Sequence, residues 1–177
     1  MRLIFLTLLF IAAYGSSANA QSLGGAFDGI GNTEDPIQIE ADKLEVLDAQ
    51  NTALLTGNVS VVQGTTILNA RQIKVSYVRG AAAKNSKTGI RQIEASGKVA
   101  VRSKDSTATA DKAVVDMVAE TVVMTGNVSL SQGANIVTGC VATVNLKTSV
   151  SEIKPCKSAS TSGNGRVKLL LSPKNTN

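Results

Sequence analysis

Thr56-Gly57-Asn58-Val59-Ser60 recurs unchanged as Thr125-Gly126-Asn127-Val128-Ser129, 69 residues further along the chain. Working outward from this pentapeptide, residues 41–77 align without a gap on residues 110–146, and 14 of those 37 positions are identical. Ala41-Asp42-Lys43 falls on Ala110-Asp111-Lys112, Gln63-Gly64 on Gln132-Gly133, and Ile67 on Ile136. A match this long at one offset is an internal repeat, the signature of a fold made by stacking one small unit. A fainter third copy lies between the two. Gly97-Lys98-Val99-Ala100-Val101 echoes Gly57-Asn58-Val59-Ser60-Val61 at an offset of 40, which also carries Ala70 onto Ala110. With h for an apolar residue, the unit reads Ala-x-x-h-x-h, a polar stretch, an apolar strand, Gly-x-Val-x-h and a turn. It opens at Ala41, Ala70 and Ala110. From Ala to Gly it takes 16 residues in the first and third copies and 27 in the second. The surplus falls at residues 79–89, RGAAAKNSKTG, which lack any apolar period and are expected to be a loop insertion.

Each unit alternates with a period of two. Leu55, Gly57, Val59 and Val61 share one parity, as do Ile73, Val75 and Tyr77, and the residues between them are mostly polar. Such alternation predicts strands with one buried and one wet face. The glycine ahead of each Val-x-h strand predicts a bend or bulge. The apolar content is dominated by Val, Ile, Leu and Ala, and β-branched side chains suit the pleat. Strands recurring with frequent turn signals indicate an all-β sandwich, barrel or solenoid of stacked antiparallel strands.

The ends read differently. Arg2, the apolar run from Leu3 to Tyr14 and the small residues ending Ala18-Asn19-Ala20 form a signal peptide, with cleavage expected after Ala20. The run is short for a membrane anchor. Arg2 is the one charged residue removed, so the net charge falls from +5 to +4. Residues 21–35, rich in Gly, Asp and Asn, are expected to be a flexible lead-in. Residues 36–173 form one domain, 157–165 (KSASTSGNG) a flexible loop within it, and 174–177 a tail. Basic residues are scattered and aromatic platforms are lacking, which speaks against nucleic acid as a partner.

Pro36-Ile37-Gln38-Ile39-Glu40-Ala41-Asp42, then Thr56-Gly57-Asn58-Val59, its second copy, and the closing Arg166-Val167-x-x-x-Leu171-x-Pro173 resemble the periplasmic lipopolysaccharide-transport proteins of the LptA type, in the OstA-like superfamily. The resemblance covers roughly residues 36–173. It implies a twisted, open β-jellyroll whose apolar interior holds the acyl chains of lipopolysaccharide. It also implies head-to-tail stacking of copies between inner-membrane and outer-membrane transport components in the periplasm. The groove would be lined by Ile37, Ile39, Val59, Val61, Ile73, Val75, Val99, Val101, Val115, Met117, Val128 and Leu130. The docking edges would be Ile37 and Ile39 at one end and Val167, Leu169 and Leu171 at the other. Around the insertion, Arg79, Lys84 and Lys87, with Lys74 nearby, are either solvated cations or partners of lipid A phosphates. Arg79 is the best placed of them.

Catalysis has little to work with. Histidine is absent, which removes Ser-His-Asp and Cys-His systems and the usual zinc sets, so no cofactor, metal or catalytic residue is assigned. Asp42 and Asp111, matched by the repeat, could be a catalytic pair, but an aspartate beside alanine at a strand opening also serves simply to bond its own turn. Cys140 and Cys156 are the only cysteines, and in an oxidising compartment they predict one disulfide. A hairpin centred on Thr148 would set Cys140 directly opposite Cys156. Besides the lipid carrier, the pattern admits a membrane-anchored transport relative, a structural β-filament, or a β-solenoid enzyme acting on polysaccharide. The last would want a carboxylate cluster and aromatic sugar platforms.

Overall fold

The computed structural model describes residues 23–27, 35–78, 89–156 and 165–172. They form a single antiparallel sheet of ten strands. β1 (Ile37–Glu40) and β2 (Lys43–Leu47) are short and both pair with β3 (Thr52–Gln63). The middle is a meander of long strands: β3, β4 (Thr66–Tyr77), β5 (Ile90–Ser103), β6 (Ser106–Asp116), β7 (Thr121–Gln132) and β8 (Asn135–Asn145). Two short strands close the far end, β9 (Ser151–Lys154) and β10 (Lys168–Leu170), both on β8.

What shapes this sheet is one irregularity repeated at mid-strand. On β3, β5 and β7 the register jumps at Gly57-Asn58, Gly97-Lys98 and Gly126-Asn127. In each pair both residues have positive φ: 79° and 41°, 81° and 60°, 77° and 45°. Glycine takes that region freely and Asn tolerates it. Two residues on the bulged strand thus face one on its neighbour, which bends the chain and raises its twist. The residues facing the bulges are Arg71 on β4, Asp111 on β6 and Cys140 on β8. Because the bulges lie side by side, every long strand is divided at the same level into two halves.

The halves form two layers. One contains β1, the ends of β3, β5 and β7, the beginnings of β4, β6 and β8, and β10; the other contains β2, the complementary halves and β9. Their inward side chains belong to one core. Val59, Leu68, Val99, Val101, Ala108, Val128 and Leu130 come from the first layer, and Leu55, Ile73, Ala95, Val115, Val122, Met124 and Val144 from the second. Burying each larger aliphatic contributes about 1.5–3 kcal/mol.

The repeat thereby acquires a different meaning at one point. Ala70 and Ala110 do not open strands; they lie inside β4 and β6, on the core side, just before the residue that faces a bulge. The Ala-x-x-h spacing is the phase slip that the bulge imposes: Ala70 and Ile73 are both buried, as are Ala110 and Ala113. Gly139 and Ala142 repeat that spacing on β8, a fourth copy in which Gly replaces Ala.

Two other expectations are corrected. Within residues 21–35, read as flexible, Leu23–Phe27 form a 3-10 helix, with Ala26 and Phe27 in the core at 1% and 3% exposure. The β8–β9 hairpin pairs Val141 with Lys154 and Val144 with Ser151, one residue out of the register expected for a turn centred on Thr148. The Asn145 side chain sets that turn by accepting hydrogen bonds from the Lys147 and Thr148 amides, at 3.0 and 2.9 Å, and Ser149 adopts positive φ. Cys140 is therefore not opposite Cys156. The disulfide forms across the end of the ladder, with Cα atoms 4.8 Å apart.

Candidate functional site

Between the two layers, at the end of the sheet that carries β1, lies an apolar cavity of about 130 Å³. Ile37, Ile39, Val61, Gln63, Thr66 and Leu68 line it from one layer, and Leu55, Ile73, Val75, Ile90, Ile93, Val115 and Met117 from the other. Among these described residues only Gln63 and Thr66 are polar, and both sit at the strand tips. The Gln63 amide donates to the Asp35 carbonyl at 3.4 Å, and the Thr66 hydroxyl bonds Ser103 Oγ at 3.2 Å. The lining therefore has little with which to orient a polar ligand and much with which to hold hydrocarbon, at about 0.8 kcal/mol per CH₂ removed from water.

The expected groove residues separate into two sets. Ile37, Ile39, Val61, Ile73, Val75, Val115 and Met117 line the cavity. Val59, Val99, Val101, Val128 and Leu130 are at most 2% exposed and fill the core beyond it. The cavity residues not singled out from the sequence were Leu55, Gln63, Thr66, Leu68, Ile90 and Ile93. Leu55 and Leu68 carried a usable signal in their parity with Val59 and Ala70. Ile90 did not. A second irregularity, between Ser76 and Tyr77 of β4 and Ile90 and Gln92 of β5, sets it out of phase with the rest of its strand.

At the ends of the sheet, apolar side chains meet water. Ile37 and Ile39 on β1 are 45% and 46% exposed, and Leu44 and Val46 on β2 are also exposed. At the opposite end Val167, Leu169, Leu170 and Leu171 are exposed on and around β10. Among the described residues each of these short strands has a single strand neighbour and so a backbone edge that no other described strand pairs. β2, which the sequence pattern does not mark as an edge, adds one beside β1.

The charged candidates do not converge. Arg79, Lys84 and Lys87 lie outside the described residues. Lys74, on the outer face, stands 3.9 Å from Glu94, which also receives Lys112 at 3.0 Å. Asp42 lies beside the β3 bulge and Asp111 beside the β7 bulge, with β4 and β5 between those sites. A Cβ built on Gly57 would stand 2.7 Å from Asp42 Cβ, and one on Gly126 would stand 2.9 Å from Asp111 Cβ. Each aspartate thus fills the space that its glycine leaves open. Asp111 also accepts a hydrogen bond from the Asn127 side chain at 2.9 Å. This is a local structural task. Among the described residues, no three His, Cys, Asp or Glu gather as a metal site. Nor is any helix there long and apolar enough to cross a membrane.

Known proteins share this arrangement. The family model described as LptA/(LptD N-terminal domain) LPS transport protein matches residues 38–150. An uncharacterised protein of Rhizobium meliloti (strain 1021) is 38% identical over 161 residues, covering 89% of this chain and 83% of the relative. Among solved structures, LptH of Pseudomonas aeruginosa superposes with a TM-score of 0.65 at 19% identity, over 81% of this chain and 99% of that one. LptH is described as the LptA-homologous periplasmic component of the conserved lipopolysaccharide transport device. The open, bent antiparallel sheet is thus the LptA fold, and by its family match and its identity to that relative the chain belongs to the LptA/(LptD N-terminal domain) family of lipopolysaccharide-transport proteins.

Proposed function

We propose that the protein is a non-enzymatic carrier that takes lipopolysaccharide by its acyl chains into the space between the two layers and passes it across the periplasm. The observation that carries this reading is the apolar cavity between the layers, bordered by strands whose own side chains stay partly exposed at the end of the sheet. A lipid entering there would keep its sugars and phosphates in water while its chains follow the apolar lining. The free edges of β1 and β10 support head-to-tail pairing of copies, since an unpaired strand edge accepts another strand. In this scheme the protein is exported by cleavage after Ala20 and joins an inner-membrane donor to an outer-membrane acceptor. Arg79, Lys84 and Lys87 stay as candidates for the lipid A phosphates.

The test is to purify the protein from periplasm and identify co-purified lipid by mass spectrometry, then to titrate purified protein with lipid A. Lipopolysaccharide should co-purify. Val75→Asp should reduce its recovery by about tenfold or more, while Val118→Asp, at an exposed turn, leaves it unchanged. Failure to recover or bind any lipid would leave a structural β-filament as the better reading.

A further inference from the structure

The cavity is small for the ligand proposed above. At about 130 Å³ it is comparable to the engineered protein cavities that accept a single benzene. An acyl chain of a membrane lipid needs several times that space. Part of the interior beside it is filled. Leu23–Phe27 lies against β5, β6 and β7, and Ala26 and Phe27 belong to the same core as the facing layers. The cavity itself draws on β5 and β6 as well as β1, β3 and β4. The 3-10 helix and the cavity therefore share β5 and β6 as neighbours within one apolar interior.

Several features set this segment apart from the rest of the core. It is five residues long and precedes the sheet in sequence. Among the described residues no backbone hydrogen bond joins Ala26 or Phe27 to a strand, so apolar contact is what retains them. Phe27 is the one aromatic side chain in the described core. Every other buried core residue is fixed in the ladder of the sheet; only Ala26 and Phe27 could leave without breaking a strand pairing.

We infer that the Leu23–Phe27 segment is a resident plug: through Ala26 and Phe27 it occupies the interior in the unloaded protein, and acyl chains displace it on loading. This rests on the carrier reading. The plug would keep the unloaded groove from collapsing or exposing its lining, and its return would favour release. Competition between plug and lipid lowers the apparent affinity by whatever holds the plug in place.

The chain contains no tryptophan, so Phe27→Trp supplies a single reporter. Its emission should be that of a buried indole in the free protein and should shift to the red as lipid A is titrated. In parallel, Phe27→Ala should melt at a lower temperature than the natural chain and yet bind lipid A more tightly, by roughly ten- to a hundredfold for loss of one buried aromatic side chain. A merely structural Phe27 predicts the same loss of stability with unchanged or weaker binding. If lipid A binds and the indole of the Phe27→Trp variant stays buried at saturation, or if Phe27→Ala folds and gains no affinity, the plug is overturned while the carrier reading stands. If neither the natural chain nor either variant binds lipid A, the carrier reading falls and the plug with it.

Discussion

At the scale of single residues, the fold depends on pairs of positive-φ residues at the three bulges. Gly97 shows why the first must be glycine. Its φ is 81°, and a Cβ built there would stand 2.8 Å from the Cβ of Arg71. Gly97→Ala therefore meets both backbone strain and a clash with a main-chain-proximal atom that cannot swing away. It should lose about 1–3 kcal/mol, read as a lower midpoint in denaturant with an unchanged slope. The second position tells the opposite story. Asn58 and Asn127 occupy it in the outer copies, but Lys98, with φ of 60°, occupies it in the middle one. Lysine lacks the short polar side chain that eases the left-handed region. Lys98→Asn should accordingly stabilise the protein by about 0.5–1 kcal/mol, measured in the same titration. Asp42 and Asp111 belong to this scale too. Their matched positions, which suggested a catalytic pair, follow from having the same glycine-filling task at two bulges.

At the scale of strands, the disulfide holds a short terminal strand to the sheet. Four residue pairs join β9 to β8, and the Cys140–Cys156 bond closes that hairpin across a separation of 16 residues. A loop near that length is worth about 3 kcal/mol in the chain-entropy model. Cys140→Ser with Cys156→Ser should lower stability by about 2–4 kcal/mol, and amide exchange should quicken first in residues 151–154 while β3–β7 keep their protection. A uniform loss of protection across all strands would contradict this local role. Strand patterning was legible in the sequence because a half-buried strand writes its two faces as a period of two. Where it misled, the cause was physical. A bulge shifts the phase of the neighbouring strand just as a break between two strands would, so Ala70-x-x-Ile73 read as a strand opening although it lies inside β4. The same holds for the β8–β9 register, which an Asn145 side chain sets by one residue. Phe27 was illegible for a further reason: its burial comes from the sheet folding over it, and five residues of LGGAF carry no period of their own.

At the scale of the whole molecule, the sheet is open and its two ends differ. In the layer that holds β1, the strand order runs β1-β3-β4-β5-β6-β7-β8-β10, so among the described residues β1 and β10 are its two edges. Both are short, as edge strands commonly are, yet charge protects them only thinly: β1 carries Glu40 alone and β10 Lys168 alone. These two charges are of opposite sign. Ile37, Ile39, Leu169 and Leu170 are 45–58% exposed, so each still has apolar surface to gain from a neighbour. Setting β10 of one copy beside β1 of the next would continue both the ladder and the interior, and the cavity at the β1 end would open onto the following copy. Because the two edges are different surfaces, such a contact would be heterologous, extending the assembly copy by copy unless its rotation closed a ring. That distinguishes it from a two-fold dimer. A chain carrying both Ile39→Cys and Leu169→Cys should, on oxidation at high concentration, form a ladder of dimers, trimers and larger species on non-reducing gels. Either single variant should stop at dimers or below. A double variant that also stops at dimers would show an isologous contact, and one that never cross-links would remove edge pairing as the means by which copies of this protein join.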